Sequence, residues 1–235
     1  MTASSGRRGD DRIAPLPAFR AVVMDMDGLA LDTESTYCAA WQRAASVLGF
    51  DLSSAFCHTL FGHHADDVKQ ALSEACDHRL DLAAFHALAE HHWLASLETR
   101  GVAKMPGLDR LLSLLRNRRI PYAVATNSDE PYASLCLRAA GVMPDFSVVV
   151  TRDQVACGKP EPDLFLEAAR RLGVAARDCL ALEDSPTGLS ACLRAGMIPV
   201  WIPATRSEAL SQANNAVWVM RGLDQLAEVI ERTEP

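Results

Sequence analysis

The sequence predicts an α/β fold, a doubly wound parallel sheet with an inserted α-helical domain. Six short apolar segments have the length and composition of buried strands. Segments with helical spacing separate most of them, and this alternation is typical of βαβ units. The predicted strands are residues 19–25, 121–126, 146–150, 179–183, 198–202 and 216–219.

Helical patterns occupy the intervals between these strands. Leucines recur at positions 108, 111, 112 and 115, and residues 164–172 form another helical pattern that Gly173 would end as a C-cap. The long interval 35–101 contains helical patterns alone, including residues 86–97, with Gly49 and Gly62 as stops. A separate helical domain inserted after the first strand fits this interval best.

These patterns predict three regions. The core would consist of residues 18–34 and 102–235, and residues 35–101 would form a helical cap domain. Residues 1–17 carry three arginines but no apolar stretch like that of a signal peptide. We expect this segment to be a flexible tail.

Composition narrows the class of protein. The chain has 235 residues, of which 49% are hydrophobic, and a net charge of −7, so we expect a folded, soluble protein. No apolar stretch approaches the roughly 20 residues that a membrane span needs. The basic residues are scattered, which argues against a nucleic-acid surface. Seven widely spaced cysteines without a CxxC pair favour reduced, buried thiols in the cytoplasm.

Asp25 and Asp27 stand where the first predicted strand ends, and Gly28 follows them. Acidic side chains are rarely placed there unless they are paired, hydrogen-bonded or bound to a metal. Because ligands of open α/β sheets bind at this edge, one acid could act as a nucleophile and the other as a proton shuttle. The alternative is an ordinary tight turn with Asp25 as a capping residue.

Two later segments offer groups that can bind phosphate. Thr126, Asn127 and Ser128 follow the second predicted strand, where a hydroxyl and backbone N–H groups can hold phosphate oxygens. Lys159 lies in a proline-rich segment that restricts its backbone. Each segment also has a simpler explanation, as polar loop residues in the first case and a surface lysine in the second.

Glu183 and Asp184 leave the fourth predicted strand together, just before a turn. Adjacent carboxylates repel each other unless a cation relieves them. Magnesium fits better than zinc, because no histidine or cysteine accompanies these acids. We therefore expect Mg²⁺ as the cofactor.

In this order, the four segments resemble the haloacid dehalogenase superfamily of phosphotransferases. That family has an Asp-x-Asp motif, a Thr or Ser after the next strand, then a Lys, then paired acids. The resemblance covers about residues 19–202, and DMDGLALDTE at 25–34 looks like the subgroup of β-phosphoglucomutase and phosphoglycolate phosphatase. It implies a Rossmann-like core, with the strand before Asp25 lying between those that end at Thr126 and Glu183.

The resemblance implies a phosphatase mechanism. Asp25 would be the nucleophile that forms an aspartyl-phosphate, and Asp27 would be the general acid and base. The transferring phosphoryl group would be held by Thr126, the amide of Asn127 and Lys159. The helical cap would cover the site, exclude water and select the leaving group.

The resemblance also implies the metal ligands. Mg²⁺ would be bound by Asp25, by the backbone carbonyl of Asp27 and by Asp184. Glu183 would either be a further ligand or stand behind the ligands. The expected partner is a small phosphorylated metabolite, with no nucleic acid or membrane, and the protein would be a monomer or weak dimer.

Departures from neighbouring subgroups narrow the activity. Haloacid dehalogenases and phosphonoacetaldehyde hydrolases lack an acid at the place of Asp27, so its presence argues against both reactions. β-Phosphoglucomutases carry a His and an Arg where this chain has Tyr37 and Ala65, which favours hydrolysis over the mutase reaction. A phosphomutase and a binding protein of the same fold without catalysis remain the alternatives.

All seven histidines of the chain fall within the predicted cap, and four of them form two adjacent pairs. His63 and His64, with Tyr37, are candidates for contact with the substrate, although cap histidines are as often structural or solvated. His91 and His92 are interpreted as a solvated helix face, because their spacing does not suit metal binding.

Overall fold

The computed structural model describes residues 15–60, 65–203 and 218–232, and within them it has a six-stranded sheet. All neighbouring strands are parallel and the order is β3-β2-β1-β4-β5-β6. The strands are β1 (Ala21–Met24), β2 (Tyr122–Ala125), β3 (Val149–Val150), β4 (Cys179–Glu183), β5 (Ile198–Trp201) and β6 (Trp218–Val219). The order reverses between β1 and β4, which makes this junction a topological switch point.

Helices cover both faces of this sheet, so the predicted doubly wound α/β fold is confirmed. They are α1 (Thr33–Val47), α2 (Ser54–His58), α3 (Ala65–Ala75), α4 (Leu82–Arg100), α5 (Leu108–Asn117), α6 (Glu130–Ala139), α7 (Asp163–Leu172), α8 (Pro186–Arg194) and α9 (Leu223–Arg232). Gly173 ends α7 in the left-handed conformation, as predicted for a C-cap.

Alternation along β1 divides the core between the two faces of the sheet. Val22 and Met24 pack in a cluster with the leucines of α5 and with α9. Ala21 and Val23 belong to the opposite cluster, which includes α7 and α8. All four β1 side chains are fully buried, as expected for a central strand of a parallel sheet covered on both faces.

Helices α1 to α4 follow β1 and precede the rest of the sheet. They enclose a third apolar cluster, which includes Cys38, Leu72 and Phe85. Helices α1 and α4 pack against each other, while Trp93 and Leu97 of α4 join the cluster beneath the sheet. Helix α4 therefore belongs to both the helical layer and the core.

Several predicted bounds need correction. β4 has the predicted bounds, whereas β1, β2, β3 and β5 are each shorter than predicted, and residues 216–217 of the last predicted strand lie outside the described residues. Phe146 follows a short 3₁₀ turn before β3 rather than belonging to that strand. The helix predicted at 86–97 runs from Leu82 to Arg100, since Asp81 caps it and Gly101 ends it. The predicted tail is too long, because Leu16 is buried in the core.

All seven cysteines are free, and six are buried as expected. Cys157 is the exception, since it lies exposed in the loop before α7. Among the helices of the three described ranges, none has the length and apolar character needed to cross a lipid bilayer.

Candidate active site

Polar side chains collect at the carboxyl ends of β1, β2 and β4, three neighbouring strands inside the sheet. Asp25 follows β1, Thr126 follows β2, and Glu183 is the last residue of β4. The Asp25 N–H donates to the carbonyl of Leu182 at 3.0 Å, so the pairing of β1 with β4 extends to the acid. Parallel strands thus bring residues that are far apart in sequence to one edge.

Lys159 lies between two carboxylates. It forms ion pairs with Asp25 and with Glu183, whose Oε1 is 2.5 Å from Nζ. The Lys159 side chain is only 4% exposed, and its ammonium stands 5.1 Å from the centre of the Phe165 ring. Burial alone would favour the neutral amine, but the two carboxylates raise the pKa of Lys159 above its ordinary value. This lysine is therefore a buried, charged group.

Glu183 is fully buried, and its two oxygens have different partners. While Oε1 faces Lys159, Oε2 accepts from the backbone N–H groups of Asp184 and Ser185 at 3.2 and 3.3 Å. The Ser185 hydroxyl also donates to Oε2, at 3.1 Å. Gly188 permits this arrangement, because a Cβ there would lie 1.9 Å from Oε1. Glu183 thereby fixes the turn that carries Asp184.

Asp184 completes a group of three carboxylates. Asp25, Glu183 and Asp184 each offer an oxygen, and these atoms lie within 4.8 Å of one another. Burial, followed by the charges of Asp25 and Glu183, raises the pKa of Asp184. Burial likewise raises the pKa of Asp25, against the opposing effect of Lys159. A cation would relieve this crowding, and three oxygen donors suit Mg²⁺.

The turn after β1 places Asp27 beside this group. The N–H groups of Ala30 and Leu31 both donate to the carbonyl of Met26, at 3.0 and 2.9 Å, which closes a tight turn. Gly28 adopts a left-handed φ of +80°, and a Cβ there would lie 2.3 Å from Oδ2 of Asp184. Glycine is thus needed at this position for both its conformation and the close approach.

Asp27 is surrounded by hydroxyl groups. Its Oδ1 accepts hydrogen bonds from Thr33 at 2.8 Å and from Tyr132 at 3.1 Å. Its Oδ2 accepts from Ser128 at 2.9 Å and from Thr126 at 3.2 Å. Hydroxyls can both donate and accept, so these neighbours can serve the acid with or without its proton.

Asn127 links the loop after β2 to the segment that carries Lys159. Its side-chain Oδ1 accepts from the backbone N–H of Lys159 at 2.8 Å, and its Nδ2 donates to the Lys159 carbonyl at 3.3 Å. The neighbouring Thr126 hydroxyl accepts from the backbone N–H of Ser128 at 3.0 Å. The two predicted phosphate-binding segments are therefore in direct contact.

Three aromatic rings connect the helical layer to Asp27. Tyr37 of α1 stacks on Trp93 of α4 at 5.0 Å between ring centres, and Trp93 stacks on Tyr132 of α6 at 5.4 Å. Asp129 caps α6 by accepting from the backbone N–H of Tyr132 at 3.1 Å. Burial and then the charge of Asp27 raise the pKa of Tyr132, so its hydroxyl keeps its proton and donates.

Comparison with known proteins identifies the family. Residues 19–196 match haloacid dehalogenase-like hydrolases, over well beyond half of the chain. The chain belongs to this family. The match includes the two-carboxylate motif, the hydroxyl, the lysine and the paired acids that carried the sequence resemblance.

Several relatives in the family are sugar-phosphate enzymes. Hexitol phosphatase A from Escherichia coli is 32% identical over 216 residues, covering 88% of this chain and 93% of the relative. Fructose-1-phosphate phosphatase from the same organism is 34% identical over 181 residues, covering 76% and 94%. A crystal structure described as a putative β-phosphoglucomutase from Thermotoga maritima has a TM-score of 0.78 at 26% identity, covering 92% of this chain and 100% of that one.

The structure of this haloacid dehalogenase-like hydrolase brings the predicted core residues together. They are Asp25, Asp27, Thr126, Asn127, Lys159, Glu183 and Asp184. Tyr37 lies in the aromatic cluster, where its ring contacts that of Tyr132, a hydrogen-bond donor to Asp27. His63 and His64 lie outside the described residues.

Three residues that contact Asp27 were missed as site residues from sequence. Thr33 and Ser128 stand within the motif segments, so hydroxyls close to the acids were a usable signal. Tyr132 gave no such signal, since it lies on a helix outside these segments.

The interpretation of both cap histidines as solvated is wrong for His92. His91 is exposed, whereas Nε2 of His92 is buried and has no hydrogen-bond partner. His92 lies on the side of α4 that faces α1. It lines a cavity of about 380 Å³ between the two helices, together with Arg43 and Arg100.

Proposed function

We propose that this protein is a magnesium-dependent phosphatase that hydrolyses a small phosphorylated metabolite, a sugar phosphate or a similar phosphomonoester. The observation that supports this most is the ion pair of Asp25 with Lys159 inside a group of three carboxylates. Asp27 lies beside this group, in the tight turn after β1. A carboxylate, a fixed ammonium and an oxygen-rich cation site are the groups that phosphoryl transfer needs. The two phosphatase relatives support the class of substrate.

In the first half of the proposed reaction, a carboxylate oxygen of Asp25 attacks phosphorus. The new O–P bond forms as the bond to the leaving oxygen breaks, and the product is an aspartyl-phosphate. Asp27 gives its proton to the leaving oxygen, which departs as an alcohol. This step divides one difficult transfer into two easier ones.

In the second half, water replaces the alcohol. The water oxygen attacks phosphorus while Asp27 accepts a proton from the water. The O–P bond to Asp25 then breaks. Phosphate is released and Asp25 is again a carboxylate. The hydroxyls around Asp27 suit this alternation, because each can donate to the carboxylate and accept from the carboxyl group.

The transferring phosphoryl group would be bound by Thr126, by the backbone amide of Asn127 and by the side chain of Lys159. The hydrogen bonds between Asn127 and Lys159 support this assignment, since they hold the two segments in a fixed relation. Asp25, Asp184 and the carbonyl of Asp27 would hold Mg²⁺, which reduces the repulsion between carboxylates and phosphate. Glu183 adjoins this site, and its Oε1 remains a candidate ligand.

We assign residues 35–101 as a cap domain over a core formed by residues 18–34 and 102–235, against which Leu16 also packs. The separate apolar cluster within α1 to α4 supports this division. Tyr37, His63 and His64 remain candidates for substrate contact. We further propose a cytoplasmic monomer or weak dimer, and the free thiols support a reducing location.

The direct test is a panel of phosphorylated metabolites, including fructose 1-phosphate and hexitol phosphates, with p-nitrophenyl phosphate as reference. We expect Mg²⁺-dependent release of inorganic phosphate, measured colorimetrically, and loss of activity in EDTA. A metal-stripped enzyme with full activity would contradict the magnesium proposal. Failure on p-nitrophenyl phosphate and the whole panel would favour the non-catalytic alternative.

Stability should report the metal independently of turnover. Because the pKa values of Asp25 and Asp184 are raised in the folded state, these acids lose protons when a cation binds. We therefore expect Mg²⁺ to raise Tm more at pH 8 than at pH 5.5, measured by thermal unfolding with and without the metal. A Tm increase that is equal at both values, or larger at pH 5.5, would contradict binding at these acids.

The phosphomutase alternative can be decided by product analysis. Tyr37 packs its ring into the aromatic stack, so we expect no role for it in holding a second phosphate. With β-glucose 1-phosphate and a trace of the 1,6-bisphosphate, phosphorus NMR should show inorganic phosphate at most. Glucose 6-phosphate formed catalytically without matching phosphate release would overturn the phosphatase assignment in favour of the mutase.

A further inference from the structure

The two oxygens of Asp27 are held by different parts of the molecule. Oδ2 accepts from Ser128 and Thr126, both in the loop after β2. Oδ1 instead accepts from Thr33 and Tyr132, at the first residue of α1 and in the first turn of α6. The orientation of this carboxylate therefore depends on two helices as well as on the loop.

Trp93 of α4 is connected to both donors of Oδ1. Its ring stacks on Tyr132 with 13° between the ring planes. Its indole N–H donates to the Thr36 hydroxyl at 3.1 Å, and Thr36 in turn donates to the carbonyl of Thr33 at 2.6 Å. A side chain of the helical layer thus supports each of the groups that hold Oδ1.

We propose that Tyr132 is a positioning residue that aims Asp27 at the leaving oxygen, with its own ring held by Trp93 of the cap. This inference rests on the proposed role of Asp27 as general acid. The Tyr132 hydroxyl reaches Asp27, while the Tyr132 ring packs against both Tyr37 and Trp93. A tyrosine held in this way is a rigid donor, because ring stacking restricts its side-chain torsions.

Loss of the hydroxyl would leave Oδ1 with Thr33 as its hydrogen-bond donor. A small displacement of a catalytic group can cost up to about a hundredfold in rate. This cost should fall on reactions whose leaving oxygen needs a proton. The p-nitrophenolate ion scarcely needs one, so its release should be spared.

The test compares Tyr132→Phe with the wild type on phenyl phosphate and p-nitrophenyl phosphate. We expect kcat for phenyl phosphate to fall about tenfold or more, and kcat for p-nitrophenyl phosphate to fall less than about threefold. KM should stay within about twofold for both, because Tyr132 acts on Asp27 rather than on bound phosphate. The fructose 1-phosphate reaction, if present, should follow phenyl phosphate.

The matched control is Tyr122→Phe. It removes the same hydroxyl from β2, where the Tyr122 ring packs against Phe146 at 5.6 Å. We expect the ratio of the two kcat values to stay at the wild-type level. Circular dichroism and thermal unfolding should show that both variants fold, since each keeps its aromatic ring.

Asp27→Asn separates the proposed acid role of Asp27 from the proposed positioning role of Tyr132. A leaving-group-selective loss in Asp27→Asn, with equal or no losses in Tyr132→Phe, would overturn the positioning role and leave the proposed function intact. Equal losses on both substrates in Asp27→Asn would overturn the acid role itself. In the double variant, Tyr132→Phe should not change the ratio further, because its effect acts through Asp27.

Discussion

The surroundings of Asp25 and Asp27 differ although the two acids are two residues apart. Asp25 lies among charges, with Lys159, Glu183 and Asp184 as its neighbours. Asp27 lies among neutral hydroxyls, four of which donate to it. The first environment controls the charge of a carboxylate, whereas the second fixes the orientation of a carboxylate through hydrogen bonds.

This difference matches the two roles proposed for the acids. A nucleophile must stay in place beside phosphate, and a fixed cation lowers the repulsion between them. A proton shuttle would be disabled by an ion pair that held it in one state. The effects of substitutions around Asp25 should therefore depend strongly on pH and on the metal. The effects of substitutions around Asp27 should depend on the leaving group of the substrate.

The largest expected effect comes from Asp25→Asn, which replaces the nucleophile with an amide of nearly the same shape. We expect kcat to fall below a hundredth of the wild-type value, a loss of more than about 2.7 kcal/mol in transition-state stabilisation. Folding should persist, because the substitution removes one charge from a crowded acidic group. Steady-state kinetics and thermal unfolding measure both effects.

A variant of an exposed acid provides the control. Asp109→Asn removes a carboxylate that pairs with Lys104 at the surface, and it should leave kcat unchanged. Retention of more than about a hundredth of kcat in Asp25→Asn would make the nucleophile assignment untenable.

Lys159→Met should have the next largest effect, because it leaves buried carboxylates without their cation. We expect the metal-free protein to lose about 3 kcal/mol of unfolding free energy at pH 8, measured by urea unfolding. The loss should be smaller at pH 5. Since the folded pKa values of Asp25 and Asp184 are raised, these acids hold protons there and the repulsion falls.

Lys104→Met is the matched control for charge and size. Its ion pair with Asp109 is exposed, so it should cost no more than about 1 kcal/mol. A loss in Lys159→Met that is no greater than in this control, or that does not change between pH 5 and 8, would contradict the importance of charge around Asp25.

Gly188→Ala should have a smaller effect, acting through Glu183. The added methyl group would overlap the Glu183 carboxylate, so this side chain must shift away from Lys159 and from the turn. We expect a cost of about 1 to 3 kcal/mol in unfolding free energy, together with weaker Mg²⁺ binding. Urea unfolding and metal titration measure the two effects.

Gly222→Ala makes the same chemical change where a Cβ would meet nothing within 4 Å. Because Gly222 precedes α9 at its N-cap, where alanine is less favourable than glycine, this variant should cost no more than about 1 kcal/mol. An equal response of the two glycine variants would show that the close approach of Gly188 to Glu183 has no energetic consequence.

The charged environment could be predicted from sequence in large part. Asp25, Lys159, Glu183 and Asp184 are unusual residues at strand ends or in a restrained loop, and strand order follows from the family resemblance. Side-chain charge is visible in sequence, and parallel strands place their carboxyl ends at one edge. These two facts, together with the resemblance, predict this cluster.

The hydroxyl environment was much less predictable. Hydroxyl residues are common in loops and at helix starts, so Thr33 and Ser128 carry a weak signal. Tyr132 reaches Asp27 only because Asp129 caps α6 just before it and because the Tyr132 ring contacts Trp93, a residue 39 positions earlier in the chain. Packing between helices of different regions decides such a contact, and no local pattern encodes it.

Asn127 behaves as a substitute peptide group. Its amide faces the backbone of Lys159 and pairs with both its N–H and its carbonyl, as a neighbouring strand would. An aspartate there would set its charge against that carbonyl, and a leucine would leave both polar groups unmatched. Asn127 therefore joins two loops by hydrogen bonds that resemble those of a sheet. These bonds fix the position of Lys159, 32 residues away, relative to the end of β2.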